Sequence, residues 1–385
     1  MHAAEAELAR RHATPVRTRR STFGPLPFDL GRMCVPGGGG DDRGMADTED
    51  PGRLRRILTH PALLILLLAP FFGEGLSGAT APLDLLLPWN LAFMAALYGC
   101  GALVCREVAH RFDLGFGGLV VLGIAYGVWE EGLVDRYWFS PSFWADTGVG
   151  AYSVVRDTNV LLAVHLTVFH TAISICASVL VVEWLTPRRR HRPWVARPGL
   201  LLAALVLALT PVIYGEFDKR PPTPVLVATG ALFAALVATA FLVGRARRRP
   251  VSPEPTTTRP PRRGLGVLAF TCVLAHWITT YTVPETALAW PIGVALALLP
   301  VAVGVLLIPR RSVTDAYGSD GVRVVVGLLT FFVILDVFVG LLGRYDMVVG
   351  AAVTGHAVRR LYLRRATLGS HPLTRAPATT PPSIE

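Results

Sequence analysis

Apolar residues recur along the chain in ten runs, at 58–78, 85–105, 114–134, 158–185, 198–214, 223–244, 264–283, 287–308, 322–342 and 347–358. The first nine each reach the roughly 17 residues that a helix needs to cross about 30 Å of hydrocarbon. The tenth is shorter and only moderately apolar. Short segments rich in Arg, Pro and Gly separate the runs. The pattern predicts an all-α fold, a polytopic transmembrane helical bundle of nine to ten spans.

Composition strengthens this reading. Of 385 residues, 52% are hydrophobic and only 17% charged, whereas soluble domains carry roughly a quarter charged residues. Mean hydropathy is +0.48. A soluble enzyme, a disulfide-stapled secreted domain and a disordered chain are all excluded. Four of the five cysteines (Cys100, Cys105, Cys176 and Cys272; Cys34 is the exception) fall within apolar runs, without the CxxC spacing of a zinc knuckle.

The net charge of +10 comes in short basic runs between apolar segments, and these orient the bundle. With the N-terminus in the cytoplasm, 19 basic residues before the C-terminal tail fall inside, from Arg53 to Arg311, and five outside: Arg136, Arg156, Lys219, Arg220 and Arg344. That is the bias expected of a cell-membrane protein. A tenth span at 347–358 returns Arg359, Arg360, Arg364 and Arg365 to the inner side. The predicted partner is the lipid bilayer, and no basic soluble module remains to bind nucleic acid. The expected domains are an Arg-rich disordered tail over 1–57, the bundle over 58–362 and a second disordered tail over 363–385. Met45 opens an acidic stretch leading into the first span, which favours it as the true start over a longer tail or a transit peptide. The Pro/Thr-rich linker at 250–261 is expected to be flexible.

Ionisable side chains inside lipid cost a few kcal/mol each, so they mark candidate sites. Glu74 lies late in the first run, Glu130 and Glu131 late in the third, His165 and His170 in the fourth, His276 in the seventh and Asp336 in the ninth. The topology places His165 about 10 Å below the outer surface, at a depth similar to the Glu130–Glu131 pair on the preceding helix. Two carboxylates with imidazoles suit a divalent metal such as zinc, held by His165, His170 and Glu131, with a carboxylate as general base. The same groups suit a proton relay in a transporter. On regular helices, Glu130 and Glu131 diverge by about 100°, and His165 and His170 by about 140°. Only one member of each pair then faces a given partner. Gly123 and Gly127 form a small-residue face for helix packing. Arg106, Glu107 and Glu183 read as solvated charges at helix ends.

The stretch from Glu130–Glu131 to Leu166-Thr-Val-Phe-His170 resembles, over about 45 residues, the core of the CPBP (CAAX-processing and bacteriocin-immunity) intramembrane metalloproteases. That resemblance implies catalytic roles for Glu130, Glu131 and His170. Arg136 stands one residue beyond the place of the family's arginine, Leu166 occupies that of its phenylalanine, and Thr280 follows His276 where an Asn or Asp is expected. The wider pattern, from Phe72-Gly-Glu-Gly through Tyr98-Gly-Cys-Gly to Trp129-Glu-Glu-Gly, resembles uncharacterised prokaryotic multi-pass membrane proteins, which implies membrane location and no assigned activity. Three readings stay open: a membrane protein of unassigned activity with an intramembrane Glu/His cluster, a divergent CPBP-like metalloprotease, and a proton-coupled transporter.

Overall fold

Among the described residues, the apolar runs fold as helices. The computed structural model describes residues 59–214, 221–247, 264–308 and 318–369. Helix α1 spans Pro61–Gly75, α2 Pro88–Arg111, α3 Gly115–Val134 and α4 Val160–Leu185. They are followed by α5 Arg197–Tyr214, α6 Thr223–Arg247, α7 Leu265–Thr282, α8 Trp290–Leu307, α9 Ser319–Leu341 and α10 Asp346–Gly369. Among the described residues, seven helices (α2–α4 and α6–α9) are long and apolar enough to cross a membrane, and α1 and α5 are shorter apolar helices. Helix α10 has the length of a span but carries Arg359, Arg360 and Arg364 in its second half.

The expected N-terminal tail with Met45, the linker at 250–261 and the chain beyond 369 lie outside the described residues. The expected bundle boundary at 362 falls short, since α10 continues to Gly369. Arginine is a good helix former, so Arg359, Arg360 and Arg364 do not stop the helix.

Local chemistry fixes several helix starts. Pro61 and Pro88 occupy first-turn positions of α1 and α2, where a missing N–H costs nothing. The His60 ring accepts the Ala62 N–H at 3.3 Å. A two-residue turn at Arg156 and Asp157, both in left-handed backbone, joins strands β1 (Val154–Val155) and β2 (Thr158–Asn159). Asn159 then caps α4 by accepting the Leu162 N–H at 3.1 Å.

Helices α1 to α4 form the enclosed centre. Two thirds of the α3 and α4 spans are buried, against 11% of α6. Leu201, Leu202 and Leu205 on α5 and Val227 and Leu242 on α6 are exposed, as expected of faces turned to hydrocarbon. Helices α3 and α4 approach closely along the predicted glycine face. A Cβ on Gly123 would stand 3.3 Å from Thr171 Cα, and one on Gly127 3.1 Å from Thr167 Cα. This contact sets the spacing on which the site depends.

Arg106, Glu107 and Glu183 are buried and paired, not solvated as expected. Helix α2 runs on to Arg111 instead of stopping near 105, because its charges find partners. Arg106 Nε donates to Glu183 at 2.9 Å and Nη1 to Glu107 at 2.6 Å. The same guanidinium reaches the carbonyls of Arg192 and Arg190 and lies 4.2 Å over the Trp194 ring.

Candidate functional site

Four stretches of helix among the described residues are wound as π-helix: Phe71–Gly75, Ala95–Gly99, Glu130–Val134 and His170–Ala177. Their widened turns are direct in the hydrogen bonds. Asp135 N–H donates to the Glu130 carbonyl at 2.9 Å and Leu76 N–H to the Phe71 carbonyl at 3.0 Å, each five residues back. Such turns concentrate at functional sites. Each of the four carries members of one polar cluster: Glu74, Tyr98, the Glu130–Glu131 pair, and His170 with Ser174.

The cluster centres on the His170 ring. Its Nε2 lies 2.8 Å from Glu131 Oε1, and its Nδ1 lies 3.1 Å from Glu130 Oε2 and 3.0 Å from Ser174 Oγ. Both glutamates thus meet one imidazole, where regular helix geometry allows only one. The π turn alters the angle between successive side chains, and the imidazole offers nitrogens on two edges. The Glu130 contact lies outside hydrogen-bond geometry, and neither Glu130 oxygen accepts a hydrogen bond although the residue is 0% exposed. Tyr98 has one hydroxyl proton and gives it to Glu74 Oε1 at 2.6 Å. The Tyr98 ring stacks on His170 with centroids 5.8 Å apart, so Glu74 joins the cluster through it. Thr80 holds the other Glu74 oxygen at 2.7 Å.

Glu130, Glu131 and His170 each offer one ligand atom within 4.8 Å of the others. His165 does not join them. It turns to α7, where its Nδ1 lies 3.1 Å from His276 Nε2, while His276 Nδ1 lies 2.8 Å from the Ala297 carbonyl. The carbonyl only accepts, so in neutral rings His276 Nδ1 carries the proton, and His165 Nδ1–H donates to His276 Nε2. The His165 Nε2 lone pair is left facing the Tyr281 hydroxyl at 3.4 Å. His276 therefore stands with His165, apart from the Glu130–Glu131–His170 group. Asp336 is buried separately, where Gly350 leaves room beside its carboxylate, and neither of its oxygens accepts a hydrogen bond. Arg136, singled out by the resemblance, follows the π turn in left-handed backbone at φ 57°.

A cavity of about 590 Å³ adjoins the cluster. Glu131 and His170 form part of one wall, and His165, Trp277 and Tyr281 another. The connecting segments after α1 and α3 contribute Ser77, Thr80, Tyr137 and Asp146. Sequence reading missed Tyr98 and Tyr281. The usable signal was a phenol inside an apolar run, since a buried hydroxyl needs a partner.

Fold and cluster together define a multi-pass helical membrane protein with a buried Glu/His centre beside a polar cavity. Residues 63–369 match a family model described as an uncharacterized membrane protein family, and the chain belongs to that family. No curated protein and no solved structure matches the chain.

Proposed function

We propose that the protein is a membrane-embedded metal-dependent hydrolase, with Glu130, Glu131 and His170 as the metal-binding group. The observation that carries this reading is the convergence of three ligand atoms within 4.8 Å, beside a cavity large enough for a substrate. Imidazole with carboxylates is a donor set that zinc accepts. The unsatisfied Glu130 oxygens, fully buried, need a positive charge to balance their desolvation. A bound divalent ion would supply Lewis acidity toward a substrate carbonyl or phosphoryl oxygen. Glu131, which lines the cavity, takes a proton from cavity water at its carboxylate. Ser174 holds His170 Nδ1 and so orients the ring. Tyr98 and Phe169 pack against that ring and restrict water around it. Peptide bonds are the substrate that the CPBP resemblance suggests. The distribution of arginines supports a cell-membrane location with the N-terminus in the cytoplasm, which puts the centre in the outer half of the bilayer.

The test is metal content. Protein purified without chelator should carry about one zinc per chain, reduced by Glu130→Gln and His170→Ala under identical preparation. Metal-free protein that takes up no zinc on titration refutes the reading. A second reading, a proton-coupled carrier, is favoured by the contact of both His170 nitrogens with carboxylates, an arrangement that stores a proton without any metal. It requires pH-driven flux in proteoliposomes.

A further inference from the structure

A second void lies in the bundle, an apolar slot of about 450 Å³ walled by α2, α3, α5 and α6. None of the described residues that line it is charged. The slot runs along the helix axes. It reaches from Gly101 on α2 to Phe112 just past the helix end, and on α6 from Phe233 to Phe241. By helical rise these stretches measure roughly 12–16 Å, close to half of a hydrocarbon core of about 30 Å. Phe112 and Phe241 meet edge to face at one end, with centroids 5.1 Å apart. Tyr126 and Trp129 stand together at the other, 5.9 Å apart. The slot has the length and direction of one lipid chain in one leaflet.

Its walls suit neither water nor vacuum. A buried water needs about two to four polar partners. The Cys105 thiol is given to the Leu122 carbonyl at 3.7 Å. The Tyr126 hydroxyl is itself buried, so the slot meets the ring of that residue. That leaves at most the Trp129 indole N–H among the lining side chains. An apolar cavity of roughly 150 Å³ already takes up benzene, and this slot is about three times larger.

Two further observations name the occupant. The slot is continuous with the face that the bundle turns to hydrocarbon. Ala208 lines it and is exposed, beside Leu205 and Leu209 on the exposed surface of α5. Helix α5 packs mainly on α2, and α6 on α3, so the seam between α5 and α6 joins the slot to the bilayer. Charge marks one end. Arg245 is exposed one turn past Phe241 on the same face of α6, where it suits a lipid phosphate.

We propose that the slot binds one acyl chain of a bilayer phospholipid. The phosphate lies at the Arg245 end, and the methyl end rests against Tyr126 and Trp129. Tyr126 then stands between the lipid and the Glu/His centre, because its ring also meets the His170 ring edge to face, 6.4 Å between centroids.

The experiment uses the full chain in phosphatidylglycerol nanodiscs, stripped of metal by chelation, so that a failed metal site leaves the result interpretable. A fraction of the phosphatidylglycerol carries a diazirine at the end of one acyl chain. Light expels dinitrogen, the carbene inserts into a neighbouring bond, and mass spectrometry locates the adduct. Leu122, Ala125 and Tyr126 line the slot and are 6%, 1% and 3% exposed, so lipid outside the bundle does not reach them. At least one of the three should be labelled. Ala204→Phe and Val237→Trp fill the slot from different walls, and each should cut that labelling about fivefold or more. Labelling of Val305 and Leu306, on the exposed face of α8, should not change. Absence of label from Leu122, Ala125 and Tyr126 in the parent overturns the proposal. So does undiminished labelling of these residues in a filled variant that unfolds at the parent's temperature.

Discussion

Replacing Arg106 by Met tests how far one buried cation holds the end of the bundle opposite the cavity. The guanidinium is 3% exposed and makes hydrogen bonds to Glu107, Glu183 and two backbone carbonyls. Glu107 would keep Arg111 Nε at 3.1 Å and the Trp194 N–H at 2.8 Å. Glu183 would lose the guanidinium that lies 2.9 Å from its Oε1, and its second oxygen accepts no hydrogen bond. Removing one partner of a buried ion pair costs about 3–5 kcal/mol. At roughly 2 °C per kcal/mol, thermal unfolding in detergent should fall by about 6–10 °C. The second arm removes the stranded charge as well. Replacing both members of a buried pair by apolar residues is often near neutral, so Arg106→Met with Glu183→Met should recover more than half of that loss. A double variant as unstable as the sum of the two singles would refute the reasoning, as would Arg106→Met unfolding within about 1 °C of the parent.

Two smaller predictions address packing and pH. Gly127→Ala gains about 1 kcal/mol of helix propensity, but its methyl meets backbone at Thr167 Cα, 3.1 Å away, and lies 3.5 Å from His170 Cβ. Zinc affinity should drop about tenfold even if the unfolding temperature is unchanged, whereas Gly117→Ala, whose methyl has only Val243 at 3.4 Å, should keep the affinity. His60 lies ahead of α1, and burial first, then the Arg189 charge, lowers its pKa. A lowered folded value means that the unfolded state takes the proton first, so this stabilisation is complete above about pH 6.5 and fades as pH falls through the lowered value. Amide exchange over residues 62–64, corrected for intrinsic rates, should quicken on acidification in the parent and stay flat in His60→Asn, which retains a cap. Equal pH dependence in both would count against the cap.

Hydropathy made the spans legible, because the bilayer imposes length and apolarity on every crossing helix. The charged end of α2 was not. Arg106 and Glu107 read as a helix end, and nothing local announces that Glu183, 77 residues later, shares their burial. The candidate residues were visible singly, since glutamate and histidine are conspicuous in lipid. Their grouping was not, because it depends on backbone winding. Regular geometry keeps Glu130 and Glu131 from sharing a partner, and it gives no reason for His165 to turn toward α7. Pairing His165 with His276 needs the packing of α7 on α4, for which a pattern along one chain holds no term.

A π turn houses one residue more than the α-helix that it interrupts, so the helix beyond it is rotated relative to an uninterrupted rod. Deleting a single residue from Glu130–Val134 or His170–Ala177 would leave a segment equally greasy and nearly equally long. Everything past the excision would swing around the rod axis, carrying the acids away from the imidazole. Membrane insertion and chemistry are thus written in separable features of the same helices, and a shortened variant that inserts normally yet loses its ion would divide the two.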